Sequence, residues 1–174
     1  MITRTALTLA IAAAIYAAPA TAEEPAEAPQ ITLGNGEANS IQVEGLSAEE
    51  SAAVFSEVRV DGAAVSTRRA NSTTLTFPEV VIAQNGWLVL HPVMDGRPNG
   101  DVVSGFAYLT EGANENVALP LDHPAKSGDR FLVMLHGDVD QDRVFDFVFV
   151  EGGHVEDKAV FEGDKMIAHI IAVP

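Results

Sequence analysis

Between Ser72 and the C-terminus no apolar stretch runs far before a turn-forming residue stops it. Seven segments there are rich in β-branched and aromatic residues: Thr74 to Ile82, Trp87 to Val93, Val102 to Leu109, Asn116 to Leu121, Arg130 to His136, Val144 to Val150 and Met166 to Val173. Most are separated by turn chemistry, at Asn85-Gly86, Asp95 to Gly100, Glu111-Gly112, Asp122 to Gly128 and Gly152-Gly153. No long amphipathic helix interrupts them. Short strands with short connections favour an all-β antiparallel sandwich of immunoglobulin-like, Greek-key type, with a closed barrel as the alternative. Within Val144 to Val150 the two-residue period puts Phe145, Phe147 and Phe149 on one face and Asp146 on the other.

The segment before this, residues 31–73, reads as an N-terminal extension to a sandwich domain at 74–174. Two short strands are expected around Gly34-Asn35-Gly36. Ser47 followed by Glu50 fits a capping box and predicts one short helix over Ala48 to Glu57. Asp61-Gly62, between Val58-Arg59-Val60 and Ala63-Ala64-Val65, predicts a tight hairpin of type I′.

The first residues carry the signature of export. Arg4 precedes an apolar run from Ala6 to Ala18, and Ala20-Thr21-Ala22 offers small residues for cleavage before Glu23. The run falls short of the roughly 20 residues a bilayer span needs, and no later stretch reaches that length. The expectation is a signal peptide at 1–22, then a Pro-, Ala- and Glu-rich spacer at 23–30, and a periplasmic or secreted mature chain without membrane insertion. Removing Arg4 changes the formal net charge of −15 to −16 on a mature chain of 152 residues. Such a surface repels nucleic-acid backbones and anionic lipid, and suits high ionic strength or divalent cations. The absence of Cys excludes disulfides, thiolate metal sites and Cys nucleophiles.

One stretch has ligand spacing. Asp138, Asp140, Asp142 and Asp146 stand at positions 1, 3, 5 and 9 of a loop, with the Val144 carbonyl at position 7. Calcium takes six to eight oxygens, and alternate residues of a curled loop aim theirs at one centre. Two departures stand out: Arg143 replaces the turn glycine of position 6, and Phe149 replaces the bidentate Glu of position 12. Ligands from elsewhere, such as Glu151 or Glu156, would have to complete the shell. The competing reading is a solvated acidic turn in which the Asp residues act only as turn formers.

A second constellation is softer. His91 and Met94 close one predicted strand, while Met134 and His136 share a face of another. Imidazoles with thioethers suit copper, although a core role explains Met134 equally well. His123, His154 and His169 are scattered, and His169 reads as a partly buried residue in need of one hydrogen bond. Trp87, the single Trp, has a lesser alternative as a sugar-stacking platform. No nucleophile elbow, zinc-protease helix, phosphate loop or dinucleotide fingerprint is present, so no enzyme is expected and no catalytic residue is assigned.

Five phrases follow one another in order: Leu75 to Val81, Gly86-Trp-Leu-Val-Leu-His91, Ser104-Gly-Phe-Ala-Tyr-Leu109, Glu111-Gly-Ala-Asn-Glu-Asn-Val117 and, the longest, Met134-Leu-His-Gly-Asp-Val-Asp-Gln-Asp-Arg-Val-Phe-Asp-Phe147. On these phrases, residues from about Thr74 to Pro174 resemble a secreted domain of unknown function found in haloarchaeal surface proteins and in some bacteria. The resemblance implies a β-sandwich without assigned catalysis, with His91, His136, Asp138, Asp140, Asp142 and Asp146 on polar signature positions. The expectation is therefore an exported structural or interaction module, calcium-stabilised, whose partner is a protein or a glycan.

Overall fold

The computed structural model describes residues 31–60, 63–146 and 157–174. The expected signal peptide and spacer lie outside them, as do Asp61-Gly62, Phe147, Phe149, Glu151, His154 and Glu156. The described residues form eleven strands and no helix. They are β1 (Thr32–Gly34), β2 (Ser40–Ile41), β3 (Ser47–Val60), β4 (Ala63–Ile82), β5 (Gly86–Met94), β6 (Arg97–Pro98), β7 (Gly105–Leu109), β8 (Gly112–Pro120), β9 (Arg130–Gly137), β10 (Phe161–Glu162) and β11 (Lys165–Ala172).

Two sheets form a sandwich, as the strand pattern implies. One has the order β1-β11-β9-β5-β6, with β10 also on β11 and β7 also on β5. The other has the order β2-β4-β3, with β8 also on β4. Every pairing is antiparallel except that of β1 with β11. The core lies between the sheets, where Leu75, Phe77, Val80, Ile82 and Leu119 of the second meet Leu88, Leu90, Val133, Leu135 and Ile167 of the first. All ten are fully buried, each worth about 1.5–3 kcal/mol as an aliphatic or aromatic side chain removed from water.

In β4 the buried positions run odd through Leu75 and Phe77 and then even through Val80 and Ile82. The switch occurs at Pro78, which has no N–H to give the ladder, opposite β8 near Asn116, whose φ is 52°. β4 also runs without interruption through residues 73 and 74, where the sequence reading placed the start of the domain.

The expected helix over Ala48 to Glu57 is corrected to strand. Ser47–Val60 pairs along β4 from Ser47↔Thr76 to Val60↔Ala63, with register shifts at Val54/Ser56 and Val58/Arg59. The long partner strand supplies a full ladder to this segment, and that tertiary offer outweighs a local capping signal worth about 1 kcal/mol. The expected hairpin is present in the Val60↔Ala63 pairing. Val144, Phe145 and Asp146, expected to begin a strand, are irregular.

Strands β5 and β9 are buried on both faces along most of their length. Their even and odd positions therefore serve two different purposes. One set fills the sandwich; the other, containing His91 and His136, faces away from it.

Candidate metal loop and the sheet face beneath it

The chain leaves β9 at Gly137 and enters the acidic loop directly. Asp138 N–H donates to the Asn85 carbonyl at 3.0 Å, so the loop starts pinned to the turn before β5. The Asp138 side chain is only 3% exposed. Its Oδ2 accepts the Tyr108 hydroxyl at 3.2 Å, whereas Oδ1 has no hydrogen-bond partner among the described residues. Burying a carboxylate oxygen without a partner costs several kcal/mol in general. That orphan oxygen is the most demanding feature of the loop.

Beyond Asp138 the carboxylates curl over one another. Asp140 Oδ1 accepts Asp142 N–H at 3.3 Å and Asp142 Oδ1 accepts Val144 N–H at 2.7 Å. These are the turn-forming bonds the competing reading anticipates, and they hold each carboxylate in place while sparing its other oxygen. Gln141 and Arg143 both have φ of 63°. Arg143 thus makes the sharp turn that glycine makes in related loops, at the steric cost of a left-handed residue with a Cβ. Its guanidinium carbon lies 5.6 Å from the Tyr108 ring centroid, which anchors it.

A carboxylate the sequence reading did not select joins the cluster from outside the loop. Asp157 is fully buried, and its carboxylate accepts Val139 N–H at 3.3 Å and Asp146 N–H at 2.9 Å. Oxygens of Asp138, Asp140 and Asp157 lie within 4.8 Å of one another, and so do those of Asp140, Asp142 and Asp146. Asp140 belongs to both groups. Burial raises the Asp157 pKa; the two backbone hydrogen bonds oppose that rise, and the Asp138 and Asp140 charges add to it. Carboxylates gathered this closely repel one another. A hard divalent cation turns that repulsion into ligation. Asp157 left no signal in the sequence, because nothing in its spacing from Asp146 says that the chain returns.

Under the loop lies the outer face of the first sheet. Trp87, Val89 and His91 of β5 stand opposite His136, Met134 and Leu132 of β9. Trp87 is 5% exposed, with Phe106, Tyr108 and Phe145 packed against it at centroid distances of 5.7, 4.9 and 5.6 Å. It is therefore a core ring, and its face is not offered as a sugar platform.

Of the four candidate copper ligands, the structure brings two together and sends one away. The His91 and His136 rings are both fully buried, with centroids 5.9 Å apart. Met134 is buried on the same face, in a cluster with Leu132 and Ala168 against which Met166 packs. Met94 is on the opposite parity of β5, 54% exposed, its Sδ taking an N–H from Asn99 at 3.6 Å. His169 finds its one hydrogen bond, Nε2 to Asn35 Oδ1 at 2.8 Å.

Residues 61–173 match the family described as "Domain of unknown function (DUF7282)". The chain belongs to that family. The matched span begins before residue 74, in keeping with the continuity of β4, and it includes both the acidic loop and Asp157. Among curated proteins, the chain is 24% identical over 83 residues to "Cell surface glycoprotein 1" of Haloarcula hispanica. That alignment covers 48% of this chain but 9% of the glycoprotein. No solved structure matches.

Proposed function

We propose that this chain is an exported, non-enzymatic β-sandwich module of the cell-surface type, whose 138–146 loop is fixed by one calcium ion. The ligands are the carboxylates of Asp138, Asp140, Asp142 and Asp146 together with Asp157, and the Val144 carbonyl keeps the place the loop spacing gives it. The observation that carries the reading is Asp138 Oδ1, a buried carboxylate oxygen with no hydrogen-bond partner among the described residues, beside Asp140 and Asp157. A cation satisfies it; a solvated turn does not. Export is supported by the N-terminal residues and by the surface glycoprotein among the relatives. The role is structural, tying β9 to the return of the chain at Asp157 and presenting the sandwich to a protein or glycan partner.

The test is calorimetric. Calcium titrated into chelator-treated protein should bind at one ion per chain and raise the melting temperature, and EDTA should reverse the rise. The double variant Asp140→Ala, Asp142→Ala should lose the response. Retention of the full calcium shift in that variant, or no shift in the parent, would sink the reading.

A further inference from the structure

We propose that His91 and His136 form a second, buried metal site, for a monovalent copper ion held between their Nε2 atoms. It goes beyond the calcium reading and uses none of its ligands.

The tautomers decide which nitrogens face the ion. His91 Nδ1 is 2.8 Å from the Val102 carbonyl, and His136 Nδ1 is 2.9 Å from the Asp157 carbonyl. A carbonyl only accepts, so both Nδ1 atoms carry the proton and both Nε2 atoms carry the lone pair. A hydrogen bond from the far ring nitrogen to a backbone carbonyl is the usual support of a metal-bound imidazole. Here it is made twice, from two different loops, and it fixes both rings against rotation.

The spacing suits one shared ion. Two imidazoles bound to a single metal at about 2 Å place their ring centroids about 6 Å apart when the ligands are opposed. The observed separation is 5.9 Å, with an interplanar angle of 41°. On the same face lie the thioethers of Met134 and Met166, in contact with one cluster.

Charge chooses the ion. The face presents neutral imidazoles, thioethers and aromatic rings, and its two histidines are fully buried. A divalent ion would bring two charges into that apolar setting and would seek four ligands. Copper(I) carries one charge, accepts two opposed nitrogens, and prefers soft donors nearby.

The experiment is an anaerobic competition between the full chain and bathocuproine disulfonate for copper(I), followed by X-ray absorption of the loaded protein. The parent should retain one copper(I) per chain with nitrogen ligands in its first shell. His91→Gln and His136→Gln should each weaken retention by more than about tenfold, while Met94→Ala leaves it unchanged. Asp140→Ala, Asp142→Ala should also leave it unchanged, so failure of the calcium reading does not touch this one. Surrender of all copper by the parent overturns the proposal without recourse to any variant's folding. So does copper retention that follows Asp140 and Asp142 rather than the two histidines.

Discussion

His136 and Asp157 are joined through the main chain: the imidazole Nδ1–H donates to the Asp157 carbonyl at 2.9 Å, while the Asp157 carboxylate closes the acidic cluster above. One residue thus reaches two regions with two different groups. Its side chain belongs to the charged loop, and its peptide oxygen orients a ring on the apolar face. Gly137 and Val160 continue the attachment, with Gly137 N–H donating to the Lys158 carbonyl at 2.9 Å and Val160 N–H to the Leu135 carbonyl at 2.8 Å.

Asp157→Ala separates those roles. It removes the carboxylate that accepts the Val139 and Asp146 amides and keeps the peptide oxygen that His136 uses. Stability should fall by about 1–3 kcal/mol in chemical denaturation, from the amides left without an acceptor. The calcium-induced rise in melting temperature should disappear. Nitrogen NMR of His136 should still report a protonated Nδ1.

Asp140 is shared by both groups of converging carboxylates. Asp140→Asn preserves an oxygen for the Asp142 amide and removes one negative charge. Calcium affinity should drop by at least about tenfold, or about 1.4 kcal/mol. Stability without calcium should be unchanged or higher, because repulsion is relieved. Parallel calcium titrations and ion-free melting curves of variant and parent measure both effects.

A different carboxylate ties the 36–39 turn to β10. Glu162 accepts amides from Glu37, Ala38 and Asn39 at 2.6, 3.1 and 2.8 Å, and the Asn39 side chain at 2.8 Å. The Asn39 side-chain bond and then the Glu37 amide are the leading causes that lower its pKa from 4.5. A depressed folded pKa means stability that is present above the unfolded value and lost as pH falls through the folded one. Glu162→Gln should therefore lower the urea midpoint near neutral pH, with the gap from the parent closing as pH drops below about 4.5. Gly36→Ala should mimic it, since a Cβ there would overlap the Glu162 carboxylate.

Gly86 opens β5 opposite Gly137 of β9. A Cβ at Gly86 would overlap the His136 carbonyl oxygen and lie 2.8 Å from Ile82 Cδ1. Neither the backbone oxygen nor the buried Ile82 has room to give way. Gly86→Ala should cost about 2 kcal/mol or more by urea denaturation, as overpacking does in a full core.

Residue type and turn punctuation were enough for most of the sandwich. β5, β9 and β11 fall where Trp87 to Val93, Arg130 to His136 and Met166 to Val173 place them, because strands that are largely buried read as β-branched and aromatic runs bounded by turn formers. The clustering of Asp140, Asp142 and Asp146 was legible because carboxylates at alternate positions of one curled loop converge. Ser47 and Glu50 misled, since a capping box is read over four residues while the β4 ladder that claims them begins more than twenty residues on.

What the sequence determined by itself is whatever depends on neighbours along the chain: the strand periods, the hairpin at Val60 and Ala63, and the acidic loop. What only the tertiary structure decided is whatever depends on neighbours across it. Asp157 entering the loop, Glu162 reaching the 36–39 turn, and His91 meeting His136 while Met94 turns outward are all products of strand pairing. Contacts over such separations cost loop-closure entropy and are made only when a whole sheet forms at once, so no local pattern of residues records them.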